Sequence, residues 1–470
     1  MRRHAALLEA AARQTEVQSM SDKTFRPWDP DQQMLFPPSI KDFVPAGHLA
    51  HFVRDVVRDD LDLSAIFARY SELRGQPPYH PGLMTSLLLY AYSRGVYSSR
   101  RIERACEERV DFMALTGGEK PDHSTICQFR GDHREALSSL FVQVLSLCRD
   151  AGMVKLGHVA LDGTKMKANA SKHAAMSYAR MKKREPELAK LVQEWMEEAK
   201  AADEEEDEEY GPGRRGDELP EHMREKLKKL LKMREAMAKL ESEAEQEAAR
   251  VARERAEMER ERGRKLGGPK PRALSGEPED KAQSNFTDPE SRIMKTKDGY
   301  EQGYNCQAGA EAGSQVIVCH DVTAEQNDHD EFVPMMDQIE ENTGRLPDEV
   351  SADTGYCSEE NIEALQAREI RGYIATGRQK HGTASPTGHA EKRQGPRTKA
   401  MRARLRQGGW RSRYRLRKHT VEPVFGQIKE DRGFRQFLRR GLENVRGEWA
   451  LLCTAHNLLK LAAVRSAAGS

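Results

Sequence analysis

The sequence predicts an α/β protein: a mixed sheet flanked by helices, preceded by an all-helical N-terminal domain and interrupted by a helical, coiled-coil insertion. Three observations support this class. Apolar residues recur at helical spacing between residues 25 and 152, strands and helices alternate between residues 303 and 375, and a long Glu-, Lys- and Arg-rich segment separates the first predicted strand from the others. A chain of 470 residues with 37% hydrophobic content can fill two or three domains.

These patterns divide the chain into five segments. They are an N-terminal tail (1–24), a helical N-terminal domain (25–152), a first part of the sheet-containing core (153–176), a charged helical insertion (177–280) and a second part of the core (281–470). The insertion lies between the first strand and the rest of the sheet. A solvated arm is the simpler interpretation of this insertion, and a dimerisation or DNA-clamping arm is the alternative.

Charge is distributed unevenly along the chain. The formal net charge is only +1, but residues 203–209 are all acidic, whereas residues 392–446 are strongly basic. A basic segment of this density predicts nucleic acid as a partner. The seven cysteines form no CxxC pair, which favours reduced thiols in a cytosolic protein over a structural zinc site. No apolar run is long enough to predict a membrane span.

The N-terminal domain contains apolar-periodic runs at residues 48–57, 81–93, 99–114 and 136–148. Pro81 suits a first helical turn, and Gly95 is placed to end that helix. The turn at residues 95–98 then leads to an arginine-rich helix, and Asp122 is placed to cap another helix that carries Gln128 and Arg130. Two helices joined by a tight turn are compatible with a helix-turn-helix DNA reader, and a plain packing unit is the alternative.

The first strand, predicted at residues 154–161, ends in Asp162-Gly163-Thr164. The pattern that follows the insertion predicts a hairpin at residues 303–312 and 315–323, a helix at 330–342, a strand at 349–352, a helix at 358–367 and a short strand at 371–375. The fourth of these strands ends in Asp353-Thr354-Gly355-Tyr356. If the first and fourth strands are adjacent and parallel, Asp162 and Asp353 project from neighbouring strand ends.

A third acid, Glu422, lies within the most basic part of the chain. Thr420 can cap a helix there and Pro423 suits its first turn, so we expect Glu422 near the positive end of a helix. Lys429 follows two turns later on the same face. The alternative interpretation of Glu422 is a surface glutamate paired with Lys418 or a nearby arginine.

Three carboxylates that share one site would repel one another unless cations neutralise them. Mg²⁺ prefers carboxylate and water oxygens, and two such ions about 4 Å apart can assist an in-line phosphoryl displacement. Asp321 and the cluster Asp328-His329-Asp330 are competing candidates for a metal-binding role.

Taken together, three motifs resemble those of the insertion-sequence DDE transposases: Asp162-Gly163-Thr164, Asp353-x-Gly355-Tyr356, and Glu422-x6-Lys429. The resemblance runs from about residue 25 to the C-terminus and implies a ribonuclease-H-like core. The family signature around the third acid is Tyr-x2-Arg-x3-Glu-x6-Lys. Tyr414-x2-Arg417 fits this signature, but Arg417 is one residue too far from the glutamate and Lys418 has the x3 spacing.

The resemblance implies that Asp162, Asp353 and Glu422 are catalytic residues that bind two Mg²⁺ ions, with Mn²⁺ as an alternative. Water activated by the ions would nick transposon-end DNA, and the freed 3′-hydroxyl would attack target DNA. The residues expected to contact DNA are Lys429, Arg417, Lys418 and Tyr414 near the third acid, and Gln128 and Arg130 in the N-terminal domain.

The expected protein is therefore a bacterial, cytoplasmic and nucleoid-associated transposase. Its expected partner is double-stranded DNA, both transposon ends and target, with a homodimer on DNA and no membrane association. Two alternatives stay open: a catalytically inactive DNA-binding or assembly protein, and a metal-dependent nuclease without strand transfer.

Overall fold

The computed structural model describes residues 39–70, 77–210, 221–265, 275–296, 299–377 and 395–468. The predicted tail at 1–24, a predicted glycine-proline break in the insertion at 211–213 and a predicted linker at 267–271 lie outside these ranges. Within the described ranges the chain forms fourteen α-helices and eight strands, together with short 3-10 and π turns.

Seven helices precede the first strand. They are α1 Leu49–Asp55, α2 Ser64–Phe67, α3 Pro81–Ser93, α4 Ser99–Glu108, α5 Val110–Thr116, α6 His123–Asp132 and α7 Arg134–Asp150. The predicted start signals are confirmed: Pro81 opens α3, and the Asp122 carboxylate accepts the backbone N–H groups of Ser124 and Thr125 at 2.8 and 3.0 Å.

The turn between α3 and α4 packs against the rest of the protein. Gly95 has φ +74°, and a Cβ there would stand 2.7 Å from the Arg432 carbonyl oxygen. The Tyr97 hydroxyl donates to the same carbonyl at 3.0 Å, and its ring lies edge-on to Phe434. This turn therefore packs against residues 432–434.

The side chain of Arg130, which was expected to contact DNA, is buried and bonded within the protein in this structure. Its guanidinium donates to the Tyr92 hydroxyl at 2.9 Å and to the Tyr97 carbonyl at 3.2 Å. Gln128, two residues earlier, is exposed on α6. The sequence of α6 does not show which face of the helix is buried, because the partners of Arg130 are distant in the chain.

The sheet contains β1 Val159–Lys167, β4 Arg292–Thr296, β5 Gly299–Glu311, β6 Ile317–Thr323, β7 Glu349–Ala352 and β8 Arg371–Ile374. The strand order is β5-β1-β7-β8, and β4 and β6 both pair with the long strand β5. β1, β7 and β8 are parallel, whereas β5 is antiparallel to β1, β4 and β6. The predicted mixed sheet and the predicted hairpin are confirmed, and β4 is a strand that the sequence analysis missed.

Five helices flank or extend the sheet: α10 Phe332–Thr343, α11 Glu359–Ala367, α12 Pro396–Gly408, α13 Leu416–Gly426 and α14 Leu442–Ala468. α14 packs against β6, α3 and α7, so it joins the sheet to the N-terminal helices. Fully buried Trp449 on α14 donates its indole N–H to the Gln307 carbonyl at 3.1 Å. One continuous hydrophobic core therefore runs from the N-terminal helices to the sheet.

The insertion consists of two long helices, α8 Tyr178–Tyr210 and α9 Glu221–Arg262. A small two-stranded sheet brackets them, with β2 Ala175–Ser177 before α8 and β3 Gln283–Asn285 after α9. A separate small core holds their base together and includes Met181, Met233 and Leu240. The Arg292 guanidinium of β4 donates to both oxygens of Glu243 at 2.9 Å, which fixes α9 against the sheet.

Candidate active site

Asp162 lies in the middle of β1 and not at its end, as the sequence had suggested. β5 pairs with β1 over all nine residues, from Val159 opposite Glu311 to Lys167 opposite Gly303. This long partner keeps Asp162-Gly163-Thr164 extended, although the tripeptide alone resembles a turn. Asp162 and Thr164 therefore face one side of the sheet, and Gly163 and Lys165 face the other.

Asp353 directly follows β7 and stands level with Asp162. Val159 pairs with Val350 across the two parallel strands, and this pair is separated by 191 positions, as are Asp162 and Asp353. The Asp353 carboxylate caps the short turn after β7 by accepting the Gly355 N–H at 2.7 Å. The expected adjacent, parallel arrangement of the two acid-bearing strands is confirmed.

Glu422 lies in the middle of α13, so the expectation that Thr420 caps this helix is wrong. The helix begins at Leu416, four residues before Thr420, whose buried hydroxyl donates to the Leu416 carbonyl. Pro423 lies inside the helix and has no N–H to donate to the His419 carbonyl. Gln315 supplies that missing donor at 2.9 Å, which lets the helix continue through the proline.

The Arg417 guanidinium bridges two of the three acids. One nitrogen lies 2.6 Å from Asp162 Oδ2 and another lies 2.9 Å from Glu422 Oε1. The arginine side chain is 13% exposed and the Asp162 side chain 15% exposed, so this pair is largely shielded from water. One cationic group therefore holds these two carboxylates, from β1 and from α13, on the same side of the site.

The other residues expected to contact DNA occupy different positions around this bridge. Tyr414 is buried in this structure, and its ring centroid lies 5.9 Å from the Arg417 guanidinium carbon. The Lys429 amine donates to Thr164 Oγ1 at 2.6 Å and to the Lys165 carbonyl at 2.9 Å. Lys418 is exposed beside Arg417.

Electrostatics distinguish Asp162 from an ordinary surface carboxylate. Burial raises its pKa, the Arg417 guanidinium opposes the rise, and the charges of Asp353 and Glu422 add to it, so the pKa lies at about 7. The pKa of Asp353 is also raised, first by burial and then by the charge of Asp328. The three expected acids therefore act on one another, and the local negative charge exceeds what Arg417 neutralises.

This shift predicts how stability depends on pH in the absence of metal. The unfolded chain titrates Asp162 near 3.8 and the folded protein near about 7, so between these values the folded state binds the proton more tightly. The free energy of unfolding should fall as pH rises through this window. Thermal unfolding in EDTA should show Asp162→Asn gaining stability over the wild type from about pH 4 to about pH 7, then levelling off. A difference in stability between Asp162→Asn and the wild type that does not change with pH would contradict the raised pKa of Asp162.

Asp321, the other acid weighed as a ligand, is engaged elsewhere. Its carboxylate lies 3.1 Å from the Arg446 guanidinium at the far side of β5. Asp328 does reach the candidate site: its carboxylate lies beside Gly163 and Gly355, the glycines that follow the first two acids. The sequence raised Asp328 as a competitor but gave no sign that it complements them.

The donor set suits a hard divalent cation. Carboxylate oxygens are the ligands that Mg²⁺ and Mn²⁺ prefer, and the Arg417 guanidinium already shows that Asp162 and Glu422 can contact one positive group together. Within the described part of the chain, no group of three or more His, Cys, Asp or Glu side chains is arranged to hold a metal ion. Arg417 lies between two of the expected ligands, so binding of a cation requires this side chain to move.

Comparison with known proteins gives two family matches. Residues 38–132 match the family model described as Transposase domain (DUF772), and residues 274–458 match the one described as Transposase DDE domain. Together these ranges cover more than half of the chain. Searches of curated proteins and of solved structures return no match. No helix in the described ranges is both long and apolar enough to cross a membrane.

Proposed function

Because the chain belongs to the insertion-sequence DDE transposases, with a ribonuclease-H-like α/β core, we propose that it nicks DNA at transposon ends and transfers the freed 3′-hydroxyl to target DNA. Asp162, Asp353 and Glu422 are the proposed catalytic residues. The observation that carries this proposal is the Arg417 bridge between Asp162 and Glu422, with Asp353 level with Asp162 on the adjacent strand.

These three carboxylates would hold two Mg²⁺ or Mn²⁺ ions. Bound there, such ions would supply activation of the attacking hydroxyl and neutralisation of the leaving oxygen. The protein itself contributes the fixed positions: β1 and β7 set the level of the two aspartates, and α13 brings Glu422 against the same face. Arg417 holds Asp162 and Glu422 together, and its guanidinium is a group that could also contact a DNA phosphate.

The basic groups around the acids would hold the DNA strand. Lys429 reaches across to Thr164 on β1, which fixes its amine beside the acid-bearing strand. Exposed Lys418 extends the positive surface next to Arg417, and exposed Gln128 offers a polar contact from the N-terminal helices. Contacts to backbone phosphate position DNA without reading its sequence. We also propose a homodimer on DNA and association with the nucleoid.

Replacing Lys418 should weaken DNA binding in a salt-dependent way. One lost phosphate contact should reduce the slope of log affinity against log salt by about 1, equally for transposon-end and unrelated DNA. Fluorescence anisotropy at several salt concentrations measures this slope for Lys418→Ala. Lys41→Ala, which removes an exposed lysine far along the chain, is the control. A Lys418→Ala slope equal to that of the wild type would remove Lys418 from the DNA surface.

A cleavage and joining assay tests the proposed function. The substrate is the DNA that flanks the gene, with a supercoiled plasmid as target, in Mg²⁺ and in EDTA. The proposal predicts nicking at defined ends and joined products in Mg²⁺, and neither product in EDTA. Nicking without joining would favour a plain nuclease, and specific binding without nicking would favour an inactive DNA-binding protein.

A further inference from the structure

The carboxylate of Asp328 lies between the two chain segments that carry Asp162 and Asp353. Its Oδ1 lies 2.6 Å from the point where a Cβ of Gly163 would stand, and its Oδ2 lies 2.7 Å from the corresponding point at Gly355. Real side-chain atoms do not approach so closely, so neither glycine can be replaced without moving Asp328. The glycines of both motifs therefore make room for this fourth carboxylate.

Buried amides hold one oxygen of Asp328 in place. Asp328 Oδ1 accepts hydrogen bonds from Asn305 Nδ2 at 2.6 Å and from Gln307 Nε2 at 2.7 Å, and the Lys165 amine lies 3.6 Å away. The side-chain oxygen of Gln307 in turn accepts the Tyr356 hydroxyl. Both amides belong to β5 and Lys165 belongs to β1, so these two strands fix the orientation of the Asp328 carboxylate.

A second polar atom points to the same place without a partner. Asn305 is fully buried, and among the described residues its Oδ1 has no hydrogen-bond partner. That oxygen lies 3.1 Å from the position that a Cβ on Gly163 would occupy, next to Asp328 Oδ1. An orphaned buried oxygen beside a carboxylate costs free energy in this state.

The other oxygen of Asp328 faces the turn that carries Asp353. A Cβ on Gly355 would stand 2.7 Å from Asp328 Oδ2 and 3.0 Å from Asp353 Oδ1, so the two carboxylates are close neighbours. Like charges held this near destabilise the metal-free protein, and a divalent cation reverses the penalty. The charge of Asp328 is the first neighbouring charge that raises the pKa of Asp353, after burial.

We propose that Asp328 is a positioning residue of the cation site, because its carboxylate is wedged between Gly163 and Gly355 and keeps the Asp353 turn level with Asp162. The inference rests on the proposed function. Asp328 acts through Asp353 from the opposite face of β1. Partners of this kind, one layer behind the ligands, typically change metal affinity by about 10–100-fold when they are mutated.

Calorimetric titration of the full-length protein with Mn²⁺, without DNA, tests this role. Asp328→Asn keeps the shape of the side chain and one amide acceptor, and it should weaken Mn²⁺ binding about tenfold; Asp328→Ala should weaken it by up to about 100-fold. Asp330→Asn removes the same charge from an exposed position two residues away and should leave the affinity unchanged. Thermal unfolding in EDTA checks that each variant folds.

Asp353→Asn separates the two hypotheses. If Asp353→Asn weakens Mn²⁺ binding but Asp328→Asn binds like the wild type, the positioning role is wrong and the proposed site stands. If Asp353→Asn also binds Mn²⁺ like the wild type, the proposed cation site itself is wrong. A purely structural role for Asp328 would lower the melting temperature in EDTA and leave Mn²⁺ affinity in place. If Asp328→Ala does not fold, Asp328→Asn decides.

Discussion

Asp162→Asn, Asp353→Asn and Glu422→Gln should each lower the rate of DNA cleavage by at least about 100-fold and leave binding of transposon-end DNA largely intact. Residues one layer behind metal ligands already cost about 10–100-fold, so loss of a ligand should cost more. Each substitution keeps the side-chain volume and removes one negative charge. Arg417 contacts the carboxylates of Asp162 and Glu422, and the charge of Asp353 raises the pKa of Asp162. Nicking of end-containing plasmid in Mg²⁺ and gel-shift binding in EDTA measure the two effects separately.

Glu430→Gln is the matched control for Glu422→Gln. Glu430 is exposed, lies in the same basic segment and pairs with Arg435 outside the candidate site. Its replacement should change the cleavage rate little, because an exposed ion pair contributes weakly. Undiminished cleavage by any of the three test variants would remove that residue from the catalytic set.

Arg130→Met should destabilise the protein by about 3–5 kcal/mol, because it leaves a buried carboxylate without its neutralising charge. Arg130 donates to the Tyr92 hydroxyl, and that hydroxyl contacts Glu448 Oε1 at 3.4 Å. Glu448 is 2% exposed, and burial raises its pKa while Arg130 opposes the rise. The group joins α3 and α6 to α14, so its loss should loosen the contact between the N-terminal helices and the core. Chemical unfolding measures the change.

Two variants make this stability prediction specific. Arg101→Met removes an exposed arginine from neighbouring α4 and should change the free energy of unfolding by less than about 0.5 kcal/mol. Adding Glu448→Gln to Arg130→Met should recover part of the loss, although Glu448 also accepts the Leu438 and Arg439 N–H groups at 3.0 and 3.1 Å. An Arg130→Met variant as stable as Arg101→Met would contradict the account of this network.

Sequence reasoning succeeded where a pattern is local. The strand at Glu349–Ala352 was predicted with its observed bounds, and alternating strands and helices after residue 303 predicted the mixed sheet. The three candidate acids were chosen because a glycine and a predicted strand end accompany each aspartate, and because Glu422 is isolated among cations. These signals depend on neighbours in the chain, and so a single sequence carries them.

The remaining features depend on partners that are distant in the chain. Asp162 seemed to end its strand because the pairing of β1 with all of β5 is not visible in the tripeptide itself. Pro423 seemed to start a helix because the donor that compensates for it belongs to Gln315, more than one hundred residues away. Arg417 was expected at a phosphate, but two carboxylates from separate elements hold it in this structure. The fit of Asp328 against Gly163 and Gly355 also joins residues that are distant in the chain.

The proposed function requires Asp162, Asp353 and Glu422 to converge on divalent cations in place of the Arg417 bridge. Anomalous diffraction from crystals of the protein grown with Mn²⁺ can locate such ions. We expect an anomalous peak among the oxygens of these three side chains, with the Arg417 guanidinium displaced from Asp162. Absence of a peak there, with Arg417 still bridging Asp162 and Glu422 at a saturating Mn²⁺ concentration, would contradict it.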